Sequence, residues 1–217
     1  MDKTWADILI ESLIANNITR IYWYPWWANI PLYDRLNYSD KIEHVLVRHE
    51  QAAAFNAQGD SRTSDKIWAC LVTSGPGASN ALTWVYDAYM DNIPMIFITA
   101  QVATTVIWND VFQEMDVIWA TMSFTKHSFL IDDVDSIPFI LNESIKIATS
   151  GRPWPVHIDI PKDIQNQIFK WSEEIKWYKK PKNIDKKYEI LTVTINDVIT
   201  ELKKSKKPIL LVWQWVK

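Results

Sequence analysis

Glycine is scarce in this chain. It has four in 217 residues, where average usage near 7% gives about 15. Tryptophan makes up the difference, at 13. Glycine serves turns because it reaches positive φ and lets another backbone or a ligand come close, and tryptophan is the worst substitute on both counts. Yet Tyr24-Pro25-Trp26-Trp27 follows a strand-like run, Trp154 sits between Pro153 and Pro155, and Trp213 and Trp215 flank Gln214. Cysteine is nearly absent too. Cys70 stands alone inside an apolar run, which excludes an intrachain disulfide framework, fits a reducing compartment and reads as a small buried hydrophobe. No apolar run nears the roughly 20 residues of a membrane span. Met1-Asp2-Lys3-Thr4 has neither the apolar stretch of a signal peptide nor the Arg/Ser bias of a transit peptide. A cytoplasmic location is expected, or a plastid stroma if the gene is organellar. A net charge of −3 and a pI near 5.8 give no reason to invoke nucleic acid or a membrane as partner. The four histidines form no H-x-x-x-H pair and no G-x-S-x-G occurs, so neither a metal site nor a serine hydrolase is indicated.

An apolar content of 48% supports a sizeable core. Over the first 160 residues helical stripes alternate with short apolar strands. Helices are predicted from Ala6, over Glu50–Gln58 with a stop at Gly59, over Ala78–Met90 and over Val134–Thr149. Strands are predicted at Ile18–Tyr24, Val45–Val47, Ile67–Thr73, Met95–Thr99, Phe124–Ile131 and Val156–Ile160. That alternation predicts an α/β fold, a doubly wound parallel sheet with helices on both faces. Ligands then gather at the carboxyl ends of the strands. Residues 1–163 read as the first domain. Residues 164–191, rich in Lys, Glu, Asn and Asp, read as a linker. Residues 192–217, a helix and then the strand Pro208–Val212, read as the truncated start of a second α/β domain.

Three constellations carry chemistry. Arg48-His49-Glu50-Gln51 falls at a strand-to-helix junction, where Glu50 is either a functional carboxylate or simply a helix-start acid favoured by the dipole. Ser74-Gly75-Pro76-Gly77-Ala78 is either an anion cradle or a structural tight turn. Phe112-Gln113-Glu114 and Lys126-His127, taken singly, are ordinary polar loop residues.

In order, these segments and their neighbours resemble the catalytic subunits of acetolactate synthases, thiamine diphosphate enzymes of branched-chain amino-acid biosynthesis. The matching stretches include Pro31-Leu32-Tyr33-Asp34, Val45–Gln51, Cys70–Ala78, Ala88-Tyr89-Met90-Asp91, Phe112-Gln113-Glu114, Thr125-Lys126-His127-Ser128, Gly151-Arg152-Pro153 and Ile158–Asp163. The likeness is strong over residues 3–165 and weak over 192–217. It implies the thiamine diphosphate-binding fold of the pyrimidine type. It implies that Glu50 is the catalytic acid, sharing a proton with the aminopyrimidine ring of thiamine diphosphate. Tyr24, Pro25, Ser74, Gly75 and Gln113 would line the cofactor, Phe112 and Lys126 the substrate channel, and Arg152 would touch FAD. Mg²⁺ would be held by a part of the enzyme beyond residue 217, so this fragment alone is expected to be inactive. The reaction implied is decarboxylation of pyruvate and condensation with a second 2-keto acid, in a homodimer or higher oligomer, with a small regulatory subunit as a further partner. Pyruvate oxidases, glyoxylate carboligases and 2-keto-acid decarboxylases are the alternatives within the superfamily, and a non-catalytic dimerising domain the alternative outside it.

The resemblance also organises the tryptophans. The family has glycine where this chain has Trp5, Trp23, Trp26, Trp27, Trp68, Trp84, Trp108, Trp119, Trp154, Trp213 and Trp215. Only Trp171 and Trp177 look ordinary. A gene whose UGA codons are read as glycine, translated with UGA as tryptophan, produces this pattern; deliberate replacement is the rival. Tryptophan at such positions is expected to strain turns and overpack the core. Other departures are Ala100 and Ala103 for Gly and Pro, Met122-Ser123-Phe124 for Arg-Pro-aliphatic, and Asp60 for Tyr.

Overall fold

A computed structural model describes residues 3–64, 66–169 and 192–209. Trp171, Trp177, Trp213, Trp215, most of the expected linker and most of the strand Pro208–Val212 lie outside them. The chain divides into two compact units, 1–179 and 180–217.

Six strands form one all-parallel sheet: β1 (Arg20–Trp23), β2 (Glu43–Leu46), β3 (Trp68–Val72), β4 (Met95–Gln101), β5 (Ser128–Leu130) and β6 (Val156–Pro161), in the order β2-β1-β3-β4-β6-β5. Alternate residues of a strand face opposite sides, and the core is sorted accordingly. Ile21, Trp23, Leu71, Ile96, Ile98 and Ile158 pack with helix α1 (Trp5–Ala15) and helix α2 (Ile30–Leu36). Tyr22, Cys70, Val72, Met95 and Phe97 pack on the other face, against α3 (Glu50–Thr63) and α4 (Pro76–Met90). Further along, α5 (Val117–Thr121) precedes β5, and α6 (Ile137–Thr149) returns to the α1 face. The chain leaves β1 for β2 on one side and then crosses back to β3 on the other. That reversal opens a crevice at the carboxyl ends of β1 and β3, the usual ligand position in open α/β sheets.

The doubly wound α/β reading stands, with local differences. Helix α3 runs through Gly59 to Thr63. A mid-helix glycine costs roughly 0.5–1 kcal/mol, which contacts of the following turn offset. Asp60 takes hydrogen bonds from Arg20 (3.0 Å) and the Tyr22 hydroxyl, and Ser61 accepts from the Trp68 amide at 3.1 Å. Helix α2, absent from the periodicity reading, is short and begins with Pro31 in its first turn; Leu32 and Leu36 anchor it. Strand β5 is only three residues, because Thr121 and Thr125 still bond within the turn after α5. Residues 164–169 do not leave the first unit as a linker: Gln165 donates to the Ala28 carbonyl (2.9 Å) and the Phe169 amide to that of Lys3 (2.8 Å).

In the second unit α7 (Thr192–Lys204) exposes Val198, Ile199 and Leu202. No described helix is long and apolar enough to cross a membrane.

The tryptophans are housed unevenly. Trp5 and Trp23 are wholly enclosed in the core, and their indole N–H groups, like that of Trp154, are buried without an acceptor among the described residues. Trp68, by contrast, donates to Ser64 at 3.1 Å. Trp108 holds φ at 74°, the left-handed region that suits glycine.

Candidate functional site

The site is assembled where β1, β2, β3 and β4 deliver their carboxyl ends. After β2 the chain turns at His49, whose ring accepts from the Gln51 amide at 3.2 Å and caps α3. Glu50 is therefore the first residue of that helix, and it is buried, with 8% of its surface exposed. Asn80, one turn into α4, donates to Glu50 Oε2 at 3.0 Å. The other carboxylate oxygen faces Gly77, where an added Cβ would stand 3.3 Å away, and 2.5 Å from Thr73 Cγ2.

After β3, Gly75 takes φ 54° and starts α4. A Cβ here would lie 2.5 Å from the carbonyl oxygen of Gln113, so both its conformation and its contact call for glycine. Gln113, itself left-handed at φ 62°, is thus laid against the β3–α4 turn. The adjoining hydroxyls of Thr73 and Ser74 are buried with no partner among the described residues. Buried hydroxyls are nearly always paired, so this cradle suits a ligand carrying polar groups.

After β1, Tyr24 and Pro25 open a turn that Asn29 closes. Asn29, fully buried, accepts from the Trp26 amide at 2.7 Å and donates to the Tyr24 carbonyl at 3.2 Å. Trp27 from this turn donates its indole N–H to the Gln113 side chain. Lys162, immediately after β6, places its ammonium 4.1 Å from the centre of the Trp27 ring.

The predicted residues fall into two groups. Tyr24, Pro25, Glu50, Ser74, Gly75 and Gln113 share the carboxyl edge of the sheet. Phe112 is on the same loop as Gln113 but points outward, 80% exposed. Lys126 and Arg152 lie at the opposite edge, ahead of β5 and β6, where the Lys126 amide bonds the Pro155 carbonyl at 2.8 Å. The Lys126 ammonium donates to the carbonyls of Ser150 and Arg152 just past the end of α6, where a helix dipole favours a cation. Partial burial lowers its pKa. The Arg152 guanidinium bonds Asn92 and stacks 5.2 Å from the Trp154 ring.

Sequence reasoning missed Asn29, Asn80 and Lys162. Asn80 lies three residues beyond Gly77, one helical turn, and Lys162 directly follows a strand end. Those spacings were the available signals.

A family profile described as thiamine pyrophosphate enzyme, N-terminal TPP binding domain, matches residues 3–119. Among curated proteins, an acetolactate synthase large subunit from Buchnera aphidicola subsp. Schizaphis graminum is 44% identical over 94% of this chain and 36% of its own length. The acetolactate synthase isozyme 3 large subunit of Escherichia coli is 43% identical over 78% of this chain and 30% of its own. The chloroplastic acetolactate synthase of Arabidopsis thaliana is 39% identical over 95% and 31%. The chain thus spans about a third of the length of the curated relatives it matches.

Proposed function

The chain belongs to the thiamine pyrophosphate enzymes through their N-terminal TPP-binding domain, and we propose that it supplies this domain to the catalytic subunit of an acetolactate synthase. The observation that carries the reading is the buried Glu50 carboxylate, held by Asn80 on one oxygen and lying beside Gly77 with the other. When bound, thiamine diphosphate supplies the electron sink for decarboxylating a 2-keto acid and joining the remaining fragment to a second one. The protein's part is to position and to control protons.

Asn80 fixes the Glu50 carboxylate so that Oε1 can share a proton with a ring nitrogen of the aminopyrimidine. The low-dielectric surroundings strengthen that hydrogen bond. The unpartnered Thr73 and Ser74 hydroxyls, with the Tyr24–Pro25 turn, would complete the ring's polar contacts. Gln113 stands beside them to orient substrate, and Lys162 puts a positive charge where a 2-keto carboxylate would enter. Phe112 projects beyond this chain's own surface, as suits a channel shared with another part of the enzyme. Mg²⁺ and the diphosphate would be held by the portion of the relatives' length that this chain does not span. FAD beside Arg152, a homodimer, a regulatory subunit and a cytoplasmic location complete the proposal.

The test is a full-length subunit supplied with thiamine diphosphate, Mg²⁺, FAD and pyruvate. Acetolactate is the expected product, and Glu50→Gln should slow exchange of the cofactor's C2 proton by at least a hundredfold while leaving the fold intact. Exchange at the parent rate in Glu50→Gln refutes the role of the carboxylate. C2 exchange without acetolactate points to another enzyme of the same superfamily.

A further inference from the structure

We infer that Gln101 is a positioning residue for Gln113: its buried side-chain amide ties together both ends of the loop that carries Gln113 to the site. The catalytic consequence rests on the proposed function; the tie itself does not.

Gln101 is the last residue of β4 and is 3% exposed. Its Oε1 accepts from the Val102 amide at 2.9 Å, where the loop begins. Its Nε2 donates to the Met115 carbonyl at 2.8 Å, 14 residues on, where the loop ends. Nε2 also donates to Asp159 Oδ2 at 3.0 Å. Two acceptors on one side and a donor on the other leave the amide a single satisfied orientation.

Asp159 is in turn fixed from behind. Thr99 donates its only hydroxyl hydrogen to Asp159 Oδ1 at 2.6 Å. With Asp159 ionised, the 2.7 Å contact between Thr99 and His157 Nε2 is made by the ring N–H. All four side chains are at most 3% exposed. The row runs His157, Thr99, Asp159, Gln101 across β6 and β4, and ends on the loop.

Between its two tied ends the loop is poorly buried: Trp108 is 70% exposed and Phe112 80%. It also holds Trp108, Asp110 and Gln113 at positive φ. Left-handed non-glycine residues persist only where the surroundings over-determine them. Gly75 supplies one such constraint by direct contact with the Gln113 backbone. Others come from Glu114, which accepts from the Val111 and Trp108 amides, and from Asp163, which accepts from Thr104. Among the described residues Gln101 alone bonds both ends, and closing a loop at its base removes more freedom than any tie within it.

The experiment uses the full-length subunit and Gln101→Met, which keeps length and removes all three hydrogen bonds. Hydrogen–deuterium exchange is followed over residues 102–116, with 156–161 as internal control, alongside acetolactate turnover and cofactor C2-proton exchange. Gln113→Ala is made alone and on the Gln101→Met background. Loop exchange should rise at least tenfold with the control unchanged. Turnover should fall by tenfold or more while C2 exchange stays near the parent rate, since Glu50 is untouched. Gln113→Ala should then cost little further. Unchanged loop exchange, or an undiminished Gln113→Ala penalty, overturns the inference. If Gln101→Met does not fold, Gln101→Thr, which suits a strand and is too short to reach Met115 or Asp159, is read the same way. If the parent makes no acetolactate the proposed function fails, and the exchange comparison still decides the tie.

Discussion

Glu50 Oε1 lies 3.3 Å from where a Cβ on Gly77 would stand. The helix that presents the carboxylate and the helix that shelters it meet at that point, and only a hydrogen atom fits between them and Thr73. Gly77→Ala should therefore displace either the Thr73 side chain or the carboxylate. Gly75→Ala should be worse, since it adds a left-handed alanine to a 2.5 Å approach to the Gln113 carbonyl. We expect losses of about 1–3 kcal/mol for Gly77→Ala and more for Gly75→Ala, read from denaturant midpoints. The reverse order would mean that the Gln113 contact gives way easily.

Asn80 donates its side-chain amide to Glu50 at 3.0 Å. Hydrogen bonds to charged groups contribute about 1.5–3 kcal/mol. In the full-length enzyme Asn80→Ala should slow C2-proton exchange by about tenfold or more. Asn80→Asp should be worse still, because a second carboxylate would face the first. A parent-like rate in Asn80→Asp would show that Asn80 does not orient Glu50.

The buried pair behind Gln101 gives a pH signature. Burial pushes the Asp159 carboxyl from 3.8 up to about 7, and the His157 ring from 6.5 down to about 3. Between about pH 4 and 7 the folded chain keeps a proton on Asp159 that the unfolded chain has lost, so acidification stabilises. Below 6.5 the unfolded chain gains a proton on His157 that the folded chain refuses, so acidification destabilises. Each slope approaches about 1.4 kcal/mol per pH unit, and the two oppose each other over their shared window. Asp159→Asn should lose Tm relative to the parent between pH 7 and 5, and His157→Gln should gain. Parallel profiles for all three chains would refute the assignment.

Much of this was legible in the sequence, because period and composition speak for buried parallel strands and long helices. Ile96, Phe97 and Ile98 in an apolar run, and the Ala-rich start of α3, leave few alternatives. What escaped depends on contacts between distant segments. Helix α3 outlasts Gly59 because Arg20 and Tyr22 reach Asp60, which no local pattern announces. The site divides similarly. Glu50, Gly75 and Gln113 were found by motif, and the parallel sheet brings them to one edge. Lys126 and Arg152 lie ahead of their strands rather than after them, a distinction that appears once strand limits are known. Asn29 and Lys162 earn their place through the Tyr24–Trp27 turn alone.

The tryptophans yield the sharpest test of what the gene encodes. If Trp23 belongs to the protein, Trp23→Gly removes a fully buried side chain from the core and should cost about 3–5 kcal/mol, the usual range for large-to-small changes there. If the position is decoded as glycine, relief of the unpartnered indole N–H, about 1–3 kcal/mol, together with relief of overpacking, about 1–3 kcal/mol, should outweigh that loss, and Trp23→Gly should stabilise. Trp108→Gly gives a second reading at a site 70% exposed, where little burial is lost and left-handed strain of about 1–2 kcal/mol is relieved. Restoring glycine at all eleven positions should then raise Tm and let Gln113 and Lys162 face an open crevice rather than the Trp27 ring. UGA codons at those positions, with glycine found by mass spectrometry of the native protein, would establish the decoding. UGG codons together with a large loss in Trp23→Gly would establish that tryptophan is native and that the core has been built around it.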